Sequence, residues 1–255
     1  MQERKRPKQS RHLLALTPEL VARCGLAVPQ APLDRFTRTS DADFDAALEH
    51  HLSLAEGAPL QIFAYGSLIW NPGFEVAERT IGTALGWRRA FGIAVIGARG
   101  SPEQPGHMLT LAPGGRCRGV LLGVAHDDRR EILSALLRRE YPYREFLSQT
   151  RRIRVATSAG VVSALAFWAG RFAPLDALDH SEEQIAFNLA HACGYLGSSA
   201  EYLYLTVAGL IEHQIHDPYL KRIERMVAEE ISRWDLPSSS SSDVGLDRLL
   251  PWQPR

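Results

Sequence analysis

The sequence contains few cysteines, and their spacing indicates no pairing. Cys24, Cys117 and Cys193 are the three cysteines among 255 residues, and no C-x-x-C motif joins any two of them. A disulfide-stapled secreted domain of ordinary type has an even number of cysteines at close spacing. The cysteine pattern therefore predicts a reduced, intracellular compartment, and we expect a cytoplasmic protein.

Net charge and long apolar runs are also missing. The 29 basic residues are balanced by 29 acidic residues, so the formal net charge is zero. This balance offers no electrostatic reason to expect binding to nucleic acid or to an anionic membrane. No apolar run approaches the roughly 20 residues that a membrane-spanning helix needs. We therefore expect neither nucleic acid nor membrane as a partner.

Several familiar catalytic and binding motifs are absent. The glycines form neither a dinucleotide-binding fingerprint nor a P-loop. Ser67 lacks the G-x-S-x-G elbow of a hydrolase, and Cys193 is interpreted as a small buried hydrophobe on an amphipathic helix. His213 and His216 have H-x-x-H spacing, but a predicted helix end falls between them and no third ligand is evident. These absences predict a site without a nucleotide, a nucleophilic side chain or a metal.

The remaining composition suits a folded domain that mixes helices and strands. Hydrophobic residues make up 45% of the chain, which is ample for a core. Runs rich in β-branched and aromatic residues predict strands at 80–86, 88–96, 108–111, 118–124, 151–157 and 161–168, with a turn at 113–115 between two of them. N-cap signals at Ser40, Asp127, Ser181, Ser199 and Asp217 predict helices after each of these positions.

Residues 61–74 (QIFAYGSLIWNPGF) form the most informative stretch of the chain. The apolar run before Tyr65, followed by Gly66 and Ser67, predicts a buried strand that leads into a loop. Gly66 allows close approach of the backbone or a positive φ, and consecutive N–H groups in such a loop can hold an anion. The alternative is an ordinary corner between a strand and a loop.

Glu140 is the candidate titratable group. The helix that starts near Asp127 must end by Tyr141, because Pro142 disfavours the α conformation of the residue before it. A negative charge at a helix C-terminus is disfavoured, and burial among aromatic rings would raise the pKa of the carboxyl further. The alternatives are that Glu140 is a surface residue of a charged run, or that Glu145 beside Arg144 is the functional acid.

Four ordered blocks carry a resemblance to a known family. The blocks are FAYGSLIWNPGF (63–74) with GWRRAF (86–91), RGSP with PG (99–106), LLRRE (136–140) followed by Tyr143, and GSSAEYL (197–203) followed by Asp217 and Leu220. Together they resemble the ChaC family of γ-glutamylcyclotransferases over about residues 60–232. The resemblance implies an α+β fold, with a small, partly closed mixed β-barrel flanked by helices. The expected organisation is a helical extension with a disordered basic tail over residues 1–59, a ChaC-like domain over 60–235, and a disordered tail over 236–255.

The same resemblance implies the reaction and the residues that perform it. Members of the family cleave glutathione to 5-oxoproline and cysteinylglycine without a metal or an organic cofactor. Glu140 matches the catalytic glutamate, and the substrate-binding positions correspond to Tyr65, Gly66, Ser67, Leu68, Arg88 and Tyr143. The basic position matches either Arg88 or Arg89. The chain departs from its relatives at residues 93–98 and directly after Glu140, so the range of γ-glutamyl substrates stays open.

The chemistry agrees with the residues present. In a γ-glutamyl amide the α-amine of the substrate can attack its own γ-carbonyl, so the enzyme need not supply a nucleophile. One carboxyl with a raised pKa can take the proton from the ammonium and return it to the leaving amine. Two alternatives are a cyclotransferase for other γ-glutamyl amides and a non-catalytic module that binds a small molecule. The sequence does not indicate an oligomeric state.

Overall fold

The computed structural model describes residues 14–25, 36–55, 59–170 and 181–234. The predicted tails, residues 1–11 and 236–255, lie outside the described residues. Within these ranges no helix combines the length and apolar character that crossing a lipid bilayer requires.

Five strands form a closed barrel. In chain order they are β1 (Gln61–Ala64), β2 (Glu78–Val95), β3 (Gly106–Gly123), β4 (Arg151–Thr157) and β5 (Gly160–Ala166). Their order around the barrel is β1-β3-β2-β4-β5, with antiparallel neighbours except where β1 runs parallel to β5 at Ile62 and Leu165. The expected α+β fold with a small mixed barrel is confirmed, and the ring of strands is complete.

The two longest strands correct a prediction of separate strands with a turn between them. β2 and β3 pair along nearly their whole lengths, and the turn predicted at residues 113–115 is wrong. Gly114 and Gly115 adopt positive φ angles of 94° and 82°, opposite Gly86, whose φ is 81°. Because glycine takes this conformation without a Cβ clash, both strands bulge at the same level and pairing resumes beyond the bulge.

Six helices lie around the barrel in the part of the chain that the structure describes. They are α1 (Pro18–Val21), α2 (Asp41–Ser53), α3 (Arg129–Glu140), α4 (Glu182–His191), α5 (Ser199–Glu212) and α6 (Pro218–Ser232). A two-stranded hairpin of β6 (Cys193–Gly194) and β7 (Gly197–Ser198) separates α4 from α5, and 3-10 turns cover Ser67–Ile69 and Arg144–Gln149. The hairpin corrects the placement of Cys193, which lies in β6 rather than on a helix because α4 ends at His191.

The helix starts follow the predicted caps with two exceptions. Ser40 and Asp217 accept hydrogen bonds from the N–H groups of Asp43 (3.2 Å) and Leu220 (3.0 Å), as N-cap residues do. Helix α5 is capped by Ser198 rather than by Ser199. Helix α3 begins at Arg129 without a side-chain cap, so the predicted cap at Asp127 is wrong.

The described parts of the N-terminal extension pack into the same core as the barrel. Leu16 is fully buried, and Phe44 and Leu48 of α2 belong to the same apolar cluster. The backbone N–H of Leu16 donates to the buried carboxylate of Glu224 on α6 at 2.6 Å, and Lys221 pairs with the same carboxylate at 2.8 Å. Residues 14–25 are therefore tied to α6 by burial and by a hydrogen bond to a charged group.

Candidate active site

Tyr65 fixes the start of the loop after β1. Its hydroxyl group donates to the carbonyl of Phe167 at 2.8 Å, at the end of β5. Its own carbonyl accepts from Nε of Arg89 at 2.7 Å. Tyr65 is buried, and the loss of hydration raises the pKa of its phenol far above the ordinary value, so the phenol stays a neutral hydrogen-bond donor. The hydrogen bonds of the Tyr65 hydroxyl and the Tyr65 carbonyl therefore fix the backbone at the start of the loop.

The loop then makes a 3-10 turn that leaves N–H groups unpaired. The first bond within the turn runs from Ile69 N to the Gly66 carbonyl at 3.0 Å. No backbone carbonyl of the described residues accepts from the N–H groups of Gly66, Ser67 or Leu68. Such exposed donors at the start of a turn are suited to hold a negatively charged group of a ligand.

Close packing, rather than a positive φ, explains why position 66 is a glycine. Its φ is −137°, so the alternative of a left-handed conformation is wrong. A Cβ atom at this position would lie 2.9 Å from the hydroxyl oxygen of Tyr202 on α5. The close approach of backbone and phenol is therefore the reason that glycine suits this position.

Glu140 is the last residue of α3, and its carboxylate points into the molecule. One oxygen accepts from Nε1 of Trp168 at 3.2 Å, and the other lies 3.3 Å from Nε of Arg139. The side chain is only 12% exposed. Burial raises the pKa of the Glu140 carboxyl above its ordinary value, while the Arg139 charge and the indole hydrogen bond offset part of that rise. The expected direction of this pKa shift is confirmed.

The loop and Glu140 line one recess. Four of the predicted substrate-binding residues and the predicted catalytic residue meet here. The full lining is Tyr65, Gly66, Ser67, Leu68, Met108, Leu109, Glu140, Phe167, Trp168 and Tyr202. Sequence reasoning missed Trp168 and gave Tyr202 no role, although Tyr202 lies in the fourth block of the resemblance and Trp168 ends a predicted strand.

Of the two neighbouring arginines of β2, Arg89 is the one that contacts the loop after β1. Because alternate residues of a strand face opposite sides, Arg88 points to solvent while Arg89 is buried, with its side chain 2% exposed. Arg89 donates to the carbonyls of Tyr65 and Arg118, the latter at 2.8 Å, and forms an ion pair with Asp217. The structure therefore does not bring Arg88 to the recess, and Arg89 supports the loop from behind.

Tyr143 and Glu145 also lie away from the recess lining. The Tyr143 ring packs on Phe36, with centroids 5.6 Å apart, and the guanidinium of Arg38 lies 5.0 Å from its centre. The exposed Glu145 accepts from the Thr37 N–H at 3.0 Å. That hydrogen bond is the main reason that the pKa of Glu145 is lowered, with Arg144 a minor cause. Glu145, the alternative candidate for the functional acid, therefore lies outside the recess.

The second and fourth blocks of the resemblance meet beside α5. Arg99 donates to the Ser198 carbonyl at 3.0 Å and pairs with the Glu201 carboxylate. The Arg99 carbonyl in turn accepts from the Ser199 hydroxyl at 2.7 Å. These contacts hold the start of α5, and with it Tyr202, against the loop that follows β2.

Metal-ligating side chains do not gather in the described ranges. His213 lies at the end of α5 and His216 in the loop beyond it, so the predicted helix end does fall between them. Among residues 14–25, 36–55, 59–170 and 181–234, no three His, Cys, Asp or Glu residues are arranged to hold a metal ion. The polar groups that line the recess are therefore one carboxylate, the hydroxyl groups of serine and tyrosine, an indole N–H and backbone N–H groups.

Comparisons with known proteins agree on one family. The profile of the family described as "ChaC-like protein" matches residues 60–230. A relative from Escherichia coli, the glutathione-specific gamma-glutamylcyclotransferase, is 33% identical over 175 residues, which cover 67% of this chain and 75% of that protein. Gamma-glutamylcyclotransferase 2-1 of Arabidopsis thaliana is 31% identical over 194 residues, covering 70% of this chain and 85% of that protein.

A solved structure supports the same fold. The crystal structure of a gamma-glutamyl cyclotransferase specific to glutathione from yeast superposes with a TM-score of 0.60 at 18% identity. The superposition covers 67% of this chain and 96% of the yeast protein. With the family profile matched over most of the sequence and relatives above 30% identity, the chain belongs to the ChaC-like protein family.

Proposed function

We propose that this protein is a γ-glutamylcyclotransferase that cleaves glutathione to 5-oxoproline and cysteinylglycine. The observation that carries the proposal is the recess lined both by the largely buried Glu140 side chain and by residues 66–68, whose N–H groups have no backbone acceptor among the described residues. Two relatives of this chain are named as glutathione-specific gamma-glutamylcyclotransferases. A module that only binds a small molecule would have no need of a buried carboxyl with a raised pKa, which disfavours that alternative.

The reaction follows from the substrate's own groups. The α-amine attacks the γ-carbonyl carbon, a C–N bond closes the five-membered lactam, and the bond to the cysteinyl nitrogen breaks. The Glu140 carboxylate takes a proton from the α-ammonium group and then gives it to the leaving amine. The second proton that the attacking nitrogen loses when the lactam closes ends on the released amine, which becomes an ammonium group, so no water is consumed. The raised pKa of Glu140 suits both transfers, since an acid–base group works best when its pKa lies near the working pH.

The loop supplies the binding energy for the charged end of the substrate. The N–H groups of Gly66, Ser67 and Leu68 hold negative charge, either on the α-carboxylate or on the oxyanion that develops at the γ-carbonyl. Arg89 keeps these donors in place through the Tyr65 carbonyl. Holding amine and carbonyl in an attack geometry lowers the entropic part of the barrier.

The three cysteines of the described ranges are all free thiols, which fits a reducing compartment, and we place the activity in the cytoplasm. The partner that we propose is the small-molecule substrate.

The test is incubation of the purified protein with glutathione in water enriched in ¹⁸O, with products measured by mass spectrometry. We expect equal amounts of unlabelled 5-oxoproline and cysteinylglycine, at the same rate with and without EDTA. Free glutamate carrying ¹⁸O would mean hydrolysis and would overturn the intramolecular mechanism. Parallel incubations with γ-glutamyl dipeptides lacking cysteine measure specificity, and faster turnover of these substrates would favour the broader cyclotransferase.

A further inference from the structure

Trp168 has a backbone conformation that large residues rarely adopt. Its φ is 52°, and Gln214 is the only other non-glycine residue with a positive φ among the described residues. A bulky L-residue in this region costs free energy, so the surrounding structure must hold it there. Such outliers occur preferentially at functional sites, and Trp168 lines the recess described above.

Hydrogen bonds to its backbone groups hold Trp168 in this conformation. Its N–H donates to the hydroxyl oxygen of Tyr141 at 2.8 Å, and its carbonyl accepts from the N–H of Leu111 at 3.0 Å. The indole also packs between two rings, with centroids 5.1 Å from Tyr141 and 5.4 Å from Phe146. Because Tyr141 directly follows Glu140, the end of α3 both carries the carboxylate and fixes the tryptophan beside it.

This arrangement aims the indole N–H at the carboxylate. Nε1 of Trp168 lies 3.2 Å from Oε2 of Glu140, while Nε of Arg139 lies near Oε1. An indole N–H can only donate, so this contact favours the ionised carboxylate and restricts its rotation. A tryptophan that merely filled the core would satisfy its N–H with any carbonyl and would need no left-handed backbone.

We propose that Trp168 is a positioning residue that orients the Glu140 carboxylate and holds it in the ionised form that accepts the substrate's proton. The inference rests on the proposed acid–base role of Glu140. It goes beyond that role because it makes the orientation and ionisation of Glu140 depend on a residue 28 positions away in the sequence, just after β5.

The groups that face Glu140 do not obscure its titration in a pH profile. Arg139 from α3 places a guanidinium beside the carboxylate. Tyr65, Tyr141 and Tyr202 face it from the loop, the end of α3 and α5, and burial raises the pKa of each phenol well above the ordinary value. None of these neighbours changes charge in the range where a carboxyl titrates. A shift of the acid limb of the pH profile therefore reports Glu140.

The first test replaces Trp168 by phenylalanine, which keeps a ring and removes the N–H donor. Loss of a hydrogen bond to the carboxylate raises the Glu140 pKa further, so the acid limb of kcat/KM for glutathione should move to higher pH. We also expect a loss of about tenfold in kcat/KM, the usual scale for a hydrogen bond to a charged group. An unmoved acid limb in Trp168→Phe would overturn the proposal.

Trp70 offers a matched control. Its indole N–H donates to the hydroxyl oxygen of Thr206 at 3.2 Å and does not contact Glu140. Trp70→Phe therefore removes an indole hydrogen bond of similar length close to the same loop. Its acid limb should coincide with that of the wild type. Equal shifts in Trp70→Phe and Trp168→Phe would mean that the effect is general loosening, which contradicts a specific role for Trp168.

A second measurement does not depend on turnover or on the folding of Trp168→Phe. The chain has five tryptophans, so ¹⁵N-labelled protein gives five indole N–H resonances that can be followed against pH. We expect one of them to shift with the Glu140 titration, and this shift to be absent from Glu140→Gln. Identical indole titrations in the two proteins would overturn the contact. By contrast, full turnover in Glu140→Gln would overturn the proposed function and leave the NMR result standing.

Discussion

Glu140 and Glu145 show how position alone separates two carboxylates of one short segment. Glu140 ends α3 with its side chain inside the recess, while Glu145 lies in the exposed 3-10 turn that follows. Burial raises the pKa of the first, and a backbone hydrogen bond from Thr37 lowers the pKa of the second. Only Glu140 therefore has both the access and the proton affinity that an acid–base group requires.

Exchange of these residues for glutamine tests the assignment. Glu140→Gln keeps the size and hydrogen bonding of the side chain but cannot carry a proton, so kcat for glutathione should fall by at least ~10²-fold. Calorimetric titration should still show glutathione binding to this variant. Glu145→Gln is the matched control and should stay within several-fold of the wild type. An exchange of the two phenotypes would show that the assignment is wrong.

The raised pKa of Glu140 also predicts how stability depends on pH. A carboxyl whose pKa is higher in the folded than in the unfolded state binds its proton more tightly when folded. Its ionisation therefore destabilises the fold as the pH rises from the ordinary value of 4.5 through the folded-state pKa. Glu140→Gln removes this cost, as often occurs when a functional group is replaced.

Thermal unfolding across pH measures the effect. We expect Glu140→Gln to melt at a higher temperature than the wild type at neutral pH. The difference should shrink below the ordinary carboxyl pKa, where both proteins carry a neutral side chain. A lower melting temperature of Glu140→Gln at neutral pH would show that the carboxylate stabilises the fold and would contradict the direction of the pKa shift.

One arginine connects three elements of the fold: strand β2, the loop after β1 and helix α6. Arg89 reaches the Tyr65 carbonyl of the loop and the Asp217 carboxylate, which itself caps α6 through the Leu220 N–H. The Asp217 side chain is 17% exposed. Such a pair is strongly destabilising to break, because the remaining charge stays buried without its partner.

Arg89→Met should therefore lower the free energy of unfolding by about 3–5 kcal/mol. Arg88→Met is the natural control, since Arg88 is exposed on the opposite face of the same strand, and it should change stability by no more than about 0.5 kcal/mol. Urea unfolding of the two variants makes the comparison. Similar losses in both would mean that strand propensity, rather than the buried contacts of Arg89, determines the result.

The 3-10 turn after β1 predicts unequal effects for its two small residues. Gly66→Val places a branched side chain where the Tyr202 hydroxyl lies 2.9 Å from the Cβ position, so the loop or α5 must shift. Overpacking of this kind typically costs ~1–3 kcal/mol, and we expect kcat/KM to fall at least about tenfold. Ser67→Ala keeps the backbone N–H and should stay within several-fold. A fully active Gly66→Val beside an inactive Ser67→Ala would show that the serine hydroxyl, not the backbone, binds the substrate.

For the whole molecule, the N-terminal segment belongs to the same folded body as the barrel. Leu16 is fully buried near α6, whereas Leu54 at the end of α2 is 54% exposed. Leu16→Ala should cost about 2–5 kcal/mol, as large-to-small changes in a core do. Leu54→Ala should cost no more than about 0.5 kcal/mol. Equal, small effects in chemical unfolding would show that residues 14–25 contribute nothing to stability.

Much of the fold could be predicted because it depends on short-range interactions. The caps at Ser40 and Asp217, the end of α3 before Pro142 and the strand that leads into Tyr65 each follow from neighbours within a few positions. The glycines between β2 and β3 are the exception, because the sequence predicted a turn at Gly114 and Gly115 where the structure has a bulge opposite Gly86. A bulge and a turn need the same backbone conformation, and only pairing with the opposite strand distinguishes them.

The amino-acid sequence by itself determined the family resemblance, the mixed α+β class and the choice of Glu140 as the candidate acid, since each depends on local order or on motif identity. Tertiary structure alone decided that Arg89 rather than Arg88 supports the loop and that Tyr143 lies outside the recess. It also decided that Trp168, in the segment just after β5, meets the Glu140 carboxylate. The physical reason is that closing the barrel brings together strand ends far apart in the chain, and the face that each side chain presents depends on its register with a distant partner.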